Sequence, residues 1–289
     1  MEIHERAYGK LNLSLDVVEK LSTGYHDLRT VMETVELCDD VHIALGAGEG
    51  VRLSTNLPFL PTDDRNIAVQ AAQVFFRELG LPPREVSIRL HKRLPVSAGM
   101  GGGSSNAAAV LRGLNTLLGT GLTVARLEGL GFLIGSDVPY CVAHGTALAE
   151  GRGERLTALW PLPSCHIVIC KPKFSISTAG LFGRIDCSKI RHRPDTAGLQ
   201  AALQAEDLGQ VAVRLYNVFE DVLGGRGKAV MDIKRSLLDG GALGAAMTGT
   251  GPAVFGLFDE EGLAQAAYER LRKVYSETFL TKNRGPVLG

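Results

Sequence analysis

The residues from Lys92 to Leu118 carry the most specific chemistry in the chain. Val86, Ile88 and Leu90 alternate as a strand that ends near His91. A loop follows with Pro95, Gly99, Gly101, Gly102 and Gly103, and then Ser104, Ser105 and Asn106 open a helix. Its apolar positions, Ala107, Val110, Leu111, Leu114, Leu117 and Leu118, predict burial, and Ser104 or Ser105 is the natural N-cap. Strand, glycine loop and helix start together make an anion site. Glycine lets backbone N–H groups approach a phosphate, and the donors and dipole at a helix start favour negative charge. The two common phosphate motifs do not fit. A Walker loop needs lysine before its hydroxyl residue, and Gly103-Ser104-Ser105 has none; a dinucleotide loop counted from Gly99 needs glycine where Ser104 stands. A plain surface loop accounts poorly for four glycines in five residues placed directly before a buried helix.

Other candidates stand apart from this loop. Asp137, between Gly135 and Pro139, sits in a short turn after a helix, where a carboxylate could accept an alcohol proton or simply cap the turn. Lys10 shares one face of the first strand with Asn12, Ser14 and Asp16, and taken alone reads as a solvated charge. Tyr25 and His26 after Gly24 read either as a ligand platform or as turn packing. A second glycine-rich segment, 240–256, contains Met247-Thr248-Gly249-Thr250-Gly251-Pro252 between two short apolar runs.

The elements that must position these residues follow from periodicity. Leu11, Leu13 and Leu15 alternate with polar neighbours as a half-buried strand, and further strand-like runs lie at 28–37, 41–45 and 51–54. Helical spacing runs from Asn66 to Leu79, where Gly80 and Pro82-Pro83 stop it. A second helix is predicted at 124–134. Trp160-Pro161-Leu162-Pro163 reads as a linker, which divides the chain into 1–160 and 161–289. Beyond it come a strand at 166–170, helices at 196–204, 208–223, 228–238 and 263–274, a strand at 277–280 and a loose tail. The class is α+β.

Composition limits the function further. The 289 residues hold 31 basic and 31 acidic side chains, and the pI is near 7.1, which disfavours a nucleic-acid binder working through a basic face. No apolar run approaches the roughly 18 residues of a membrane span, and the charged start, Met1 to Arg6, is unlike a signal peptide. Five cysteines without a C-x-x-C pair suit reduced thiols in a cytoplasm. Glycine is in excess, 35 residues or about 12%, against a usual ~7%.

Five segments in order, Lys10-Leu-Asn-Leu-Ser-Leu, Gly24-Tyr-His-Asp-Leu, the run from Pro95 to Ala108, Gly135-Ser-Asp-Val-Pro and Met247-Thr-Gly-Thr-Gly-Pro, resemble the GHMP kinases over almost the whole chain. Lys10-Leu-Asn-Leu with Gly24-Tyr-His is most similar to the members that phosphorylate the 2-hydroxyl of a methylerythritol carried on cytidine diphosphate. The resemblance implies a two-domain fold, with a ribosomal protein S5 domain 2-like N-terminal part, a ferredoxin-like C-terminal part and an active site in the cleft between them. It also implies ATP and Mg²⁺ as cofactors and a small-molecule substrate, with neither nucleic acid nor membrane as partner, in a monomer or weak homodimer.

The resemblance assigns roles as well. Asp137 matches the catalytic base, and Lys10 its partner, which keeps that carboxylate ionised and stabilises the developing alkoxide. Pro95, Gly99, Gly101, Gly102, Gly103, Ser104, Ser105 and Asn106 would surround the ATP phosphates, with Asn66 and Lys92 beside the nucleotide base. Asn12, Tyr25, His26, Thr178, Phe182, Thr248 and Gly249 would contact the substrate, Tyr25 and Phe182 by stacking on cytosine. Asn106 stands where many relatives carry aspartate, so no residue is assigned as a metal ligand and Mg²⁺ would be held by ATP oxygens and water. Two other readings remain: a GHMP kinase for another small alcohol, and a nucleotide-binding regulator without catalysis.

Overall fold

A computed structural model describes residues 1–285; the last four residues of the expected tail, Pro286 to Gly289, lie outside the described residues. In chain order the elements are β1 (Glu2–Lys20), β2 (His26–Leu45), β3 (Gly50–Thr55), α1 (Ile67–Glu78), β4 (Glu85–His91), α2 (Gly102–Leu118), α3 (Val124–Phe132), α4 (Val138–Ala143), β5 (Ala147–Gly151) and β6 (Arg155–Ala158). They continue with β7 (His166–Lys171), α5 (Thr178–Phe182), α6 (Thr196–Gln204), α7 (Leu208–Ala212), β8 (Tyr216–Asn217), α8 (Gly227–Asp239), β9 (Gly244–Met247), β10 (Val254–Phe258), α9 (Glu261–Arg272) and β11 (Glu277–Lys282). The class is α+β, as the periodicity predicts. The chain packs as two compact units, each discontinuous in sequence, because β1 and β2 are long enough to contribute residues to both.

One unit comprises Met1–Gly9, Leu37–Leu94 and Gly101–Ala143. Here β2 pairs antiparallel with β4, from Asp40 opposite His91 to Leu45 opposite Val86, and β4 pairs parallel with β3. Helix α1 buries Ala68, Val69, Ala71, Ala72, Val74 and Phe75. Helix α2 lies so close to the sheet that a Cβ on Gly113 would be 2.4 Å from Ile43 Cδ1. Toward the helix start, Asn106, Ala107, Ala108 and Ala109 are all buried.

The other unit comprises Lys10–Glu36, Pro95–Met100 and the chain from His144 onward. There β8 pairs parallel with β1, and β2 pairs antiparallel with β5, which in turn pairs with β6. A separate four-stranded sheet, in the order β11-β7-β10-β9, supports α8 and α9. Val168, Cys170, Val230, Ile233, Leu237, Val254, Phe258, Ala264 and Leu271 belong to its core.

Three sequence expectations are corrected. Helix α2 begins at Gly102 after Gly101 in the left-handed region (φ 67°), without a side-chain cap, so Ser104 and Ser105 lie inside the helix and neither is the N-cap. The single helix expected at 208–223 does not form. α7 ends at Ala212 and the chain extends at Asn217, whose side chain accepts from Phe219 N and donates to the Met247 and Gly249 carbonyls. Finally, the polar side of β1 is not solvated: Lys10, Asn12, Ser14 and Asp16 are all buried. The described cysteines form no disulfide.

Glu33 of β2 is a buried acid with one hydrogen bond, from Thr146 Oγ1 to its Oε2 at 2.5 Å, while Oε1 has no partner. Burial pushes its carboxyl up to about 8, against the lowering effect of the Thr146 hydroxyl. The folded value lies above the ordinary 4.5, so Glu33 contributes stability that is complete below about 4.5 and is lost as pH rises through about 8. The stability of the parent relative to Glu33→Gln should therefore fall across that window, by an amount on the order of a few kcal/mol. Urea unfolding of both proteins over the window measures it, and a difference that does not change with pH would show that Glu33 is charged in the fold.

Candidate active site

The start of α2 is held from below by a buried charge cluster. Asp39 is fully buried and takes the Lys92 ammonium on Oδ2, where Asn106 Nδ2 also donates at 2.9 Å. Its Oδ1 accepts from the N–H groups of Arg93 at 2.7 Å and Leu94 at 2.8 Å. Lys92 Nζ also donates to Asn106 Oδ1 at 2.9 Å, which closes a three-residue ring. Thus Lys92 and Asn106 come together, through an aspartate that the sequence reading missed. One signal for it exists: the adjacent acids Asp39-Asp40 face the adjacent bases Lys92-Arg93, and Arg93 pairs with Asp40.

Within the same unit, Ser105 is buried and its hydroxyl donates to the Tyr8 carbonyl. Gly103 is exposed, while Gly102 and Ser104 are half-buried. Asn66 is the N-cap of α1, accepting from Ala68 N at 3.0 Å and donating to the Pro61 carbonyl at 2.8 Å. Its side chain therefore works as a cap. Asp137 occupies the turn immediately before α4; it is half-buried and its carbonyl accepts from Cys141 N at 3.1 Å.

The other unit joins four more candidates. Lys10 Nζ donates to Asn12 Oδ1 at 2.6 Å, and Asn12 N donates to Thr248 Oγ1 at 3.1 Å. Thr248 Oγ1 lies 3.3 Å from Asn12 Oδ1 and 3.2 Å from the Gly99 carbonyl. The two glycine segments cross here. A Cβ on Gly99 would stand 2.1 Å from the Thr248 carbonyl oxygen, and one on Gly249 would stand 2.7 Å from the Gly99 carbonyl oxygen. Both glycines have positive φ, so a side chain is excluded by space and by conformation. Pro95 is buried at the head of the same loop.

Aromatic groups gather in this unit too. The His26 and Phe182 rings lie 5.0 Å apart, and Phe182 meets Phe219 edge-on at 4.8 Å. Burial, with the nearby Lys20 charge, lowers the His26 pKa, so its imidazole is neutral and can both donate and accept. Tyr25 is 52% exposed, with the Arg152 guanidinium 3.7 Å over its ring. The hydroxyls of Thr178 and Thr250 are 3.0 Å apart. Besides Asp39, the sequence reading missed Arg152, Phe219 and Thr30, which come near these residues only through the fold. Among the described residues no group of three or more His, Cys, Asp or Glu side chains could hold a metal ion.

One unit thus carries an uncapped helix start after glycines, and the other a buried lysine–asparagine–threonine row and a partly exposed aromatic pair; similarity to known proteins makes the chain a small-molecule kinase. The family model described as GHMP kinases N terminal domain matches residues 66–145, and that described as GHMP kinases C terminal matches 199–277. The chain is 39% identical to the 4-diphosphocytidyl-2-C-methyl-D-erythritol kinase of Alkaliphilus metalliredigens, over 98% of this chain and 97% of the relative. It is 42% identical to the enzyme of that name from Lachnoclostridium phytofermentans, over 96% of each. The crystal structure of a 4-(cytidine 5'-diphospho)-2C-methyl-D-erythritol kinase is similar at a TM-score of 0.82 and 28% identity, covering 98% of this chain and all of that one. A homoserine kinase from Cytophaga hutchinsonii, at 20% identity and a TM-score of 0.76, shares the fold. This chain belongs to the GHMP kinase family.

The Asp39 cluster gives a prediction about stability. Asp39→Ala leaves the buried Lys92 ammonium without its carboxylate and removes the acceptor of two backbone N–H groups. The expected loss is about 3–5 kcal/mol in chemical denaturation, and a loss below about 1 kcal/mol would mean that the cluster is not a fixed feature of the fold.

Proposed function

We propose that this protein transfers the γ-phosphoryl group of ATP to the 2-hydroxyl of 4-diphosphocytidyl-2-C-methyl-D-erythritol, giving the 2-phosphate and ADP. The observation that carries the reading is 39–42% identity, over nearly the whole chain, to kinases of that name. The residues present fit the nucleotide: α2 starts after left-handed Gly101 with no side-chain cap, so the donors of its first turn are open to phosphate oxygens.

ATP would supply the phosphoryl group, and Mg²⁺ bound with it would neutralise phosphate charge, with no protein ligand to the metal assigned. The protein's part is positioning and electrostatics, because a loose phosphoryl-transfer transition state needs little base strength. Asp137 takes the proton of the substrate hydroxyl, Lys10 stabilises the developing alkoxide and Asn12 orients the substrate hydroxyls. The phosphates lie along Pro95 and Gly99–Asn106, with Asn66 and Lys92 toward the nucleotide base. Tyr25 and Phe182 stack on the cytosine, neutral His26 bonds its edge, and Thr178, Thr248 and Gly249 complete the substrate side. In this reading residues 1–160 handle ATP and catalysis and 161–289 the substrate side, in a cytoplasmic monomer or weak homodimer.

A coupled ADP-release assay with the cytidine-diphosphate substrate tests the reaction. Absence of turnover, or equal turnover of homoserine or mevalonate, would overturn it. Asp137→Asn should lower kcat about a thousandfold while calorimetry still detects ATP binding; near-parental turnover would remove Asp137 from the role of base. Tyr25→Ala should raise KM for the cytidine substrate by about tenfold or more, in line with roughly 1–3 kcal/mol for a stacked base. A change confined to the KM for ATP would place the cytosine elsewhere.

A further inference from the structure

We propose that Thr30, on β2, is a positioning residue for the phosphoryl transfer: its hydroxyl decides which way the Asn12 amide faces, and through that amide it holds the Lys10 ammonium. The assignment rests on the proposed roles of Lys10 and Asn12. All three side chains are buried, Lys10 at 4%, Asn12 at 2% and Thr30 at 2% exposure, so bulk water does not orient them.

The argument is one of hydrogen-bond direction. Thr30 Oγ1 lies 2.6 Å from the Ser14 carbonyl oxygen, which can only accept. The single hydroxyl proton of Thr30 is therefore committed to Ser14, and toward Asn12 the hydroxyl can only accept. The Asn12 atom that faces it at 2.8 Å must then be the donor Nδ2. That leaves Oδ1 on the far side of the amide, where it receives the Lys10 ammonium at 2.6 Å, a short charge-assisted bond. The opposite orientation would bring an NH₂ group against an ammonium, donor against donor. Thr248 does not make this choice, because its hydroxyl has both an acceptor and a donor face toward the Asn12 backbone and side chain. The backbone of β1 thus bears on the Lys10 position through two side chains, with Thr30 as the polar link between them.

The test compares kcat and KM of Thr30→Val and Thr30→Ser, with labelled ATP so that slow turnover stays measurable. Thr30→Val keeps the shape and removes the acceptor. It should lower kcat about 10- to 100-fold, the scale of a small misplacement of a reacting group, with both KM values within about twofold. Thr30→Ser should restore kcat to within about threefold of the parent. Adding Thr30→Val to Asn12→Ala should cost less than about twofold more, because the effect passes through Asn12. Thr30→Ala takes the place of the valine variant if that one does not fold. Parental turnover in Thr30→Val, a loss that serine does not restore, or an additive loss on Asn12→Ala would each overturn the relay. Failure of the underlying reading looks different, because Lys10→Ala and Asn12→Ala would then themselves turn over like the parent, and the relay would fall with it.

Discussion

The crossing of two backbones at Gly99 and Thr248 is the constraint on which the Lys10 row depends. A Cβ at position 99 would lie 2.1 Å from the Thr248 carbonyl oxygen, a distance no side chain can meet. Around that point the loop is fixed on both sides. Ala253 N donates to the Ala98 carbonyl at 3.3 Å, and Lys10 N donates to the Met100 carbonyl at 3.0 Å. Asn217 straps the second segment from beneath, donating to the Met247 and Gly249 carbonyls at 2.8 Å each. The register of β1 at Lys10, the path of the loop and the height of the Thr248 hydroxyl therefore follow from one close contact. The glycine excess is in part the cost of that contact, since each glycine gives up more chain entropy on folding than a residue with a side chain.

A second theme is buried polar groups joined in hydrogen-bonded networks. Lys10, Asn12, Thr30 and Thr248 are linked by hydrogen bonds, as are Asp39, Lys92 and Asn106 in the other unit. Desolvating such groups offsets most of what their bonds contribute, so they are weak sources of stability. What such a network does supply is a preferred arrangement, because alternatives leave more donors or acceptors unmet in a place water does not reach. Glu33 is the contrasting case: with one oxygen unpartnered, it tolerates burial by remaining protonated.

How much of this could be read in the sequence differs by residue. The helix Asn66–Leu79 was legible because its stop signals are local, and the structure places α1 at Ile67–Glu78 with Asn66 as its cap. The glycine segments were legible by type and spacing. The start of α2 was misread because serine is a good cap in general, whereas here Gly101 turns the chain in the left-handed region and Ser105 spends its hydroxyl on Tyr8. The break at Asn217 was hidden for a different reason. Its cause lies about 30 residues away, in the carbonyls of Met247 and Gly249, and no window along the chain contains both ends. Thr30 and Asp39 were missed on the same ground: each is an ordinary strand residue until the fold brings its partner beside it.

Zero net charge acquires a physical meaning from these pairings. Lys92, whose ammonium reaches Asn106 in the first turns of α2, is already matched by Asp39, and Arg193 is matched by Asp16 at 2.7 Å. With Lys92 compensated, an anion bound at α2 as proposed would draw chiefly on the N–H groups of its first turn and the helix dipole. Such donors are fixed in direction, carry no side-chain entropy and do not titrate. A lysine on a mobile stem would attract a phosphate over a longer range, but would hold it less exactingly than a row of backbone donors. On the proposed reading no broadly basic surface would be needed for a polyanionic ligand, and single charges would act at single atoms, as in the 2.6 Å bond from Lys10 to Asn12.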